Sequence, residues 1–114
     1  MYRFNIIITE YCNANCSHCY MSAGSNRIKK SMTKEQIKKI IDNIPKNTDT
    51  IVLTGGEIFL VKDLLFYAIN TIMEKNSTIK IGLESNGKYL YMNSDPYKEL
   101  VLLKKSGVDF IRFS

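Results

Sequence analysis

Three cysteines lie close together near the start of the chain, at Cys12, Cys16 and Cys19, and the 114 residues contain no others. Thiolates are the usual protein ligands of iron-sulfur clusters and common ligands of zinc. Their placement directly after an apolar run indicates a loop folded around one bound object at the end of a strand. An odd number of closely spaced cysteines argues for a reducing compartment and against a disulfide framework.

The number of thiolates is informative about the object that they would hold. Full ligation of a [4Fe-4S] cluster by protein takes four thiolates. Three leave one iron without a protein ligand, and that iron is able to bind another molecule. The CxxxCxxC spacing therefore predicts a [4Fe-4S] cluster held by Cys12, Cys16 and Cys19, with one open iron.

Two other interpretations of the same residues stay open at this point. Zinc accepts three cysteines and one histidine, and His18 lies between Ser17 and Cys19. Because adjacent residues are poorly placed to bind one ion, and zinc sites usually draw on two separated pairs of ligands, the motif favours the cluster. The second alternative is purely structural, since free cysteine packs as a small apolar residue.

A second group of residues, Gly55, Gly56 and Glu57, follows an apolar run at residues 50–54. Two glycines let the backbone approach a ligand closely or adopt a positive φ. Glu57 offers a carboxylate to a cationic group. If the run is a parallel strand, this group lies at the C-terminal edge of the sheet, where ligands of such folds collect.

A third group, Glu84-Ser85-Asn86-Gly87, follows the next apolar run. Its polar side chains are expected at the same edge. Asn-Gly is also a common turn pair, so a structural turn is the alternative interpretation. Ser114 follows a fourth run and is expected at the same edge.

The cysteine and glycine motifs together resemble the radical S-adenosylmethionine (SAM) superfamily. Its signature is CxxxCx(aromatic)C after the first strand of a partial TIM-like barrel, and the three cysteines match its cluster ligands. His18 occupies the aromatic position, which lies near the adenine of SAM in that family. By resemblance, the open iron would be chelated by the amino and carboxylate groups of SAM.

The resemblance also assigns roles to the other motifs. Residues 55–57 match the family's GGE motif, which binds the amino group of SAM, although Ile58 stands where many members have proline. Ser85 and Asn86 look like a segment that lines the SAM site. Ser114 stands where members carry a serine that faces the ribose and methionyl part of SAM.

The function implied by the resemblance is reductive cleavage of SAM to a 5′-deoxyadenosyl radical, which abstracts a hydrogen atom from a substrate. An electron donor such as a flavodoxin or ferredoxin is implied as a partner. The Cys19-Tyr20 ending and the Gly-Gly-Glu context look most like the SPASM-type group that modifies peptides or proteins. The alternatives are a non-catalytic iron-sulfur electron carrier, which usually has a fourth cysteine, and a zinc-stabilised binding module.

Apolar patterning predicts the elements that position these residues. The residues from Thr33 to Gln36 form a capping box that precedes isoleucines at helical spacing, which predicts a first helix. Asp63 is expected to cap a second helix. Asp95-Pro96 is expected to start a third helix, which ends at Gly107. Residues 88–93 are expected to form a connection. Strands are expected at residues 4–9, 50–54, 78–83 and 109–113, and the first has the β-branched character of a strand buried on both faces.

Alternating strands and helices predict an α/β fold with right-handed βαβ units and a parallel sheet. The resemblance implies a partial TIM-like barrel. Four parallel strands do not close a barrel, so residues 1–114 are expected to be the N-terminal part of a radical SAM core domain, truncated after about four strands.

Composition and charge limit the partners. The net charge of +5 comes from lysines scattered over predicted outer helix faces, so no nucleic-acid partner is expected. No apolar run approaches the length of a membrane span, so no membrane partner is expected either, and the sequence predicts a cytoplasmic protein.

Overall fold

Alternating strands and helices make up the described part of the chain. A computed structural model describes residues 2–10, 31–92 and 94–113. The strands in these residues are β1 (Tyr2–Thr9), β2 (Thr48–Gly55), β3 (Lys80–Ser85) and β4 (Val108–Phe113). The helices are α1 (Lys34–Asp42), α2 (Lys62–Lys75), α3 (Lys88–Met92) and α4 (Pro96–Ser106), and a short 3₁₀ helix (Ile58–Val61) precedes α2.

The four strands form one sheet in the order β1-β2-β3-β4, and each neighbouring pair is parallel. This confirms the predicted α/β fold and is compatible with part of a (βα)n barrel. Since all four strands run in the same direction, their C-terminal ends lie at one edge of the sheet. That edge receives the segments that carry the predicted site residues.

The helices and one face of the sheet share an apolar core. Ile6, Leu53 and Leu83 are register neighbours across three strands, and they are buried in one cluster with Ile41 of α1 and Ile69 of α2. Residues that alternate with them along each strand point to the opposite face. The core therefore holds the strands in a fixed register beneath the C-terminal edge.

The first strand is less buried than its sequence predicts. Ile6 and Ile8 are buried, but Ile7 between them is 37% exposed. The prediction that this strand is buried on both faces is therefore wrong, because Ile7 points away from the face that shares the core with the helices.

Two helices begin where their capping signals predict, and α4 also ends at its predicted residue. The hydroxyl of Thr33 accepts from the backbone N–H of Gln36 at 3.1 Å, and the Gln36 side chain accepts from the Thr33 N–H at 2.9 Å, which completes a capping box at α1. At α4, Asp95 accepts from the N–H of Lys98 at 3.1 Å. Gly107 ends the helix with a φ of 115°.

The connections on either side of β3 differ from their predictions. Asp63 is not a helix cap but lies in the first turn of α2, because an additional 3₁₀ helix buries Ile58 and Phe59 before α2 starts. Residues expected to form a simple connection after β3 fold into α3. The strands β1, β2 and β4 start one or two residues earlier than predicted, and β3 is displaced by two residues toward the C-terminus.

The longest of the described helices, α2, has 14 residues. At 1.5 Å per residue it is about 21 Å long, whereas the hydrocarbon core of a bilayer is about 30 Å thick. Within residues 2–10, 31–92 and 94–113, no helix has the length and apolar character needed to cross a membrane.

Candidate functional site

The C-terminal end of β1 is joined to the glycine motif after β2. Thr9 is the register partner of Gly55, and the carbonyl oxygen of Thr9 accepts a hydrogen bond from the N–H of Gly56 at 2.9 Å. The two strand ends are thus held side by side. The glycine pair therefore lies next to the end of β1. Residues 11–30, which include the three cysteines and are called the cysteine segment below, follow β1 in the sequence.

The chain returns to this point after the cysteine segment. The hydroxyls of Thr9 and Ser31 lie 2.7 Å apart, and the two residues form an antiparallel bridge. The N–H of Met32 also donates to the carbonyl oxygen of Ile8 at 2.8 Å. The described residues on both sides of the cysteine segment are therefore fixed at the C-terminal end of β1. Sequence reasoning missed Thr9 and Ser31, whose only signal is their polar character at the ends of the segment.

The predicted cluster ligands Cys12, Cys16 and Cys19, together with His18, lie outside the described residues. Ser114 does so as well. Their roles stay predictions.

Gly55 has a structural requirement of its own. A Cβ atom at this position would lie 2.5 Å from the carbonyl oxygen of Thr9, far inside van der Waals contact. Since that oxygen belongs to the backbone of the neighbouring strand, it has little freedom to move. Glycine at position 55 therefore allows the two strand ends to approach each other.

Glu57 is fully buried and accepts hydrogen bonds from three donors. Its Oε1 accepts from the hydroxyl of Ser85 and from the N–H of Asn86, both at 2.9 Å. Its Oε2 accepts from the N–H of Phe59 at 3.1 Å and from the Ser85 hydroxyl at 3.0 Å. The carboxyl group thus connects the end of β3 with the start of the 3₁₀ helix after β2. The Phe59 N–H is a second contact that sequence reasoning missed, and no pattern in the sequence indicates it.

The Ser85-Asn86-Gly87 segment forms a tight turn directly after β3. The Gly87 N–H donates to the Ser85 hydroxyl at 3.0 Å, and the Asn86 side chain accepts from the Lys88 N–H at 2.9 Å. Gly87 has a φ of 81°, which favours glycine. The turn interpretation of Asn-Gly is therefore correct for the backbone, and the same residues lie beside Glu57.

The geometry brings five predicted site residues to one edge of the sheet: Gly55, Gly56, Glu57, Ser85 and Asn86. β4 ends at the same place, because its last residue, Phe113, is the register partner of Ser85. The edge gathers turns from neighbouring parallel strands around the two fixed ends of the cysteine segment. Ligands of open parallel sheets bind at such an edge.

Comparisons with known proteins identify the family of the chain. The chain matches the radical SAM superfamily over residues 6–114. It is 28% identical over 115 residues to an uncharacterized protein of Archaeoglobus fulgidus, a match that covers 94% of this chain and 26% of the relative. It is 30% identical over 113 residues to a probable GTP 3′,8-cyclase of Methanococcus vannielii, which covers 97% of this chain and 35% of that protein.

The chain thus spans only about a quarter to a third of the length of these relatives. Their shared part includes the cysteine segment and the turns after β2 and β3. Since the superfamily match covers nearly all of the chain, from residue 6 within β1 to residue 114, it does not depend on the cysteines alone. The chain belongs to the radical SAM superfamily.

Proposed function

We propose that this chain is part of the catalytic core of a radical SAM enzyme that abstracts a hydrogen atom from its substrate. The observation that supports the proposal is the meeting of the glycine motif and the Ser85-Asn86 turn at the edge of the sheet where the described residues on both sides of the cysteine segment lie. Thr9, Gly56 and Ser31 hold the two ends of the cysteine segment beside the glycine motif. Glu57 connects that motif to the Ser85 turn.

The donor set of the cysteine segment fits a [4Fe-4S] cluster. Cys12, Cys16 and Cys19 provide three thiolates, which leaves one iron for SAM. When bound, the reduced cluster supplies the electron that cleaves SAM to methionine and a 5′-deoxyadenosyl radical. The protein contributes binding, orientation and exclusion of side reactions.

The residues at the edge would bind and orient SAM. The Gly55-Gly56-Glu57 segment would hold the amino group, with Ser85 and Asn86 beside it. His18 would pack against the adenine, and Ser114 would face the ribose and methionyl part. The buried hydrogen bonds of Glu57 support this assignment because they give the binding turns one fixed geometry.

Family membership favours the enzyme over the two alternatives. A ferredoxin-like electron carrier usually provides a fourth cysteine and has no use for a glycine turn at the sheet edge. A zinc-stabilised module would need His18 as a ligand beside Cys19. The proposal therefore also includes an external electron donor, such as a flavodoxin or ferredoxin, and a cytoplasmic location.

For the substrate, we propose a peptide or protein. The support is the Cys19-Tyr20 ending and the Gly-Gly-Glu context, which look like the peptide-modifying group. One relative is named as a probable GTP 3′,8-cyclase, so a nucleotide is the second candidate. Transfer of deuterium from a labelled peptide or from labelled GTP into 5′-deoxyadenosine distinguishes the two substrate classes.

The central test is SAM cleavage by the complete protein after anaerobic cluster reconstitution. Incubation with SAM and dithionite is expected to release 5′-deoxyadenosine, measured by liquid chromatography and mass spectrometry. Omission of dithionite is the matched control. A reconstituted protein with full iron and sulfide content that releases no 5′-deoxyadenosine would contradict the proposal. A colourless protein with one zinc and no sulfide would instead support the binding module.

A further inference from the structure

The carboxyl group of Glu57 is engaged by the protein itself. Its two oxygens accept from the Ser85 hydroxyl and from the N–H groups of Phe59 and Asn86, at 2.9 to 3.1 Å. The residue has no exposed surface. A carboxylate offers about four lone-pair positions, so three internal donors occupy most of its capacity.

These donors come from segments that are far apart in the sequence. Phe59 is the second residue of the 3₁₀ helix after β2, whereas Ser85 ends β3 and Asn86 follows it, 28 and 29 residues after Glu57. Without the carboxyl group, the buried N–H of Phe59, the part-buried N–H of Asn86 and the buried hydroxyl of Ser85 would lose this acceptor, which is unfavourable. The relative position of the two turns therefore depends on Glu57.

Both turns belong to the proposed SAM site. Gly56 is adjacent to Glu57, and its N–H is already bonded to Thr9 at the end of β1. The Ser85 hydroxyl also accepts from Gly87, so that the whole turn after β3 is tied to the same carboxyl group. One side chain thus connects, directly or through one neighbour, the ends of three strands.

We propose that Glu57 is a positioning residue of the SAM site, which fixes the turn after β3 against the Gly55-Gly56 turn. The main chain of the two glycines then meets the amino group of SAM. This inference rests on the proposed function and gives Glu57 a role different from the direct contact that its sequence predicts. Turns that are tied together before the ligand arrives lower the cost of ordering them on binding.

The test is a double-mutant cycle in the complete protein between Glu57→Gln and Ser85→Ala. Glutamine keeps the shape of the side chain but replaces one acceptor oxygen with a donor, so one backbone N–H loses its acceptor. Ser85→Ala removes one donor and leaves the carboxyl group in place. The exposed Glu74→Gln is the matched control.

Two quantities are measured for each variant. The first is the melting temperature without SAM. The second is the dissociation constant of SAM, taken from the change that SAM causes in the electron paramagnetic resonance spectrum of the reduced cluster. The melting temperature reports how much the hydrogen bonds of Glu57 stabilise the two turns. The dissociation constant reports how much they contribute to SAM binding.

Both single variants are expected to melt below the wild type, and Glu74→Gln is expected to melt with it. The dissociation constant of SAM should rise about tenfold or more in Glu57→Gln, because a displaced turn misplaces the ligand. It should also rise in Ser85→Ala. The double variant should match Glu57→Gln within about twofold, since both changes break one connection.

Three results would overturn the inference. Glu57→Gln with the melting temperature of the wild type and weakened SAM binding would make Glu57 a direct ligand. A dissociation constant of SAM in the double variant that rises by the product of the two single-variant factors would show that Glu57 and Ser85 act independently, and would also overturn the inference. If Glu57→Gln does not fold, an unchanged SAM affinity in Ser85→Ala would show that the hydrogen bond between Glu57 and Ser85 does not position the SAM site. All three occur with a wild type that binds SAM, whereas a wild type that binds none contradicts the proposed function.

Discussion

Gly55 illustrates how a residue of a binding motif has a packing role that is separate from any ligand. Its missing side chain allows the carbonyl oxygen of Thr9 to come within 2.5 Å of the position of a Cβ atom. The sequence suggests glycine for ligand approach or for a positive φ, and the structure adds contact between two strands as a reason. The motif is thus fitted to β1 as well as to the proposed ligand.

Gly55→Ala is therefore expected to destabilise the protein before any ligand is added. Forcing a methyl group against the backbone of β1 should cost about 1–3 kcal/mol of the free energy of unfolding. Urea denaturation measures this cost, and Asp49→Ala, at an exposed position of the same strand, is the control. A Gly55→Ala variant as stable as the control would show that the strand ends separate without cost.

Cys16→Ala is expected to abolish the brown chromophore of the proposed cluster, because only two of its three proposed thiolate ligands would remain. The loss of the cluster is measured after anaerobic reconstitution by visible absorbance and by analysis of iron and sulfide content. Ser17→Ala changes the adjacent residue without removing a thiolate and should keep the cluster. Full iron and sulfide content in Cys16→Ala would refute the assignment of this ligand.

Residue types and spacing were enough to select the motifs but not the partners of their side chains. Gly55, Glu57 and Ser85 could be placed at one edge because each follows an apolar run. The contact between Glu57 and Ser85 joins residues 28 positions apart, and no local pattern encodes it. The buried contacts therefore required the three-dimensional structure.

At the scale of elements, local signals located the helices that have side-chain caps. The Thr33 box and the Asp95-Pro96 pair act within four residues of sequence, so they could be recognised directly. The start of α2 could not, since the preceding 3₁₀ helix is capped by Glu57, whose side chain also accepts a hydrogen bond from Ser85 of β3. Tertiary contacts thus decided the boundary that local propensity left open.

Thr33→Ala should shorten or fray α1 and lower the free energy of unfolding by about 0.5–2 kcal/mol, because the Gln36 N–H loses its acceptor. Thr33→Ser keeps the hydroxyl and should restore most of the stability. Urea denaturation of both variants measures the difference. Equal losses in the alanine and serine variants would mean that the methyl group, and not the cap, stabilises this end of α1.

At the scale of the whole molecule, the alternation of strands and helices was sufficient to predict a parallel sheet with its ligand edge. It was not sufficient to predict the side-chain contacts on the second face of the sheet, which is the face opposite the core shared with the helices. That face carries an ion pair between Glu84 and Arg112 at 3.6 Å, and the Phe110 ring lies over Gly82. Charged residues at these strand positions resemble loop residues in sequence, so their pairing across β3 and β4 gave no signal.

The Glu84–Arg112 pair should add little to stability, because about half of the Arg112 side chain is exposed. Arg112→Met is expected to change the free energy of unfolding by less than about 1 kcal/mol. Urea denaturation at low and high salt measures the change, and Lys38→Met, which breaks an exposed pair with Asp42, is the control. If Arg112→Met lowers the free energy of unfolding several times more than Lys38→Met does, the ion pair on the second face of the sheet contributes more than an exposed pair.

The outer side of β4 leads to the last prediction. In the part of the chain that the structure describes, β4 is at the end of the strand order and pairs with β3 alone. Alternate backbone N–H groups of such a strand point away from its neighbour. If the sheet continues into a larger barrel, these groups become paired.

Hydrogen exchange distinguishes the two situations. In the isolated chain of residues 1–114, alternate amides of β4 should exchange rapidly, whereas those of the central strands β2 and β3 should be protected. If the sheet of the complete protein continues past β4, all β4 amides should be protected there, because a further strand would accept their hydrogen bonds. Rapid exchange in both would place β4 at a true edge of the sheet, and the barrel expected from the superfamily would then have to continue from β1.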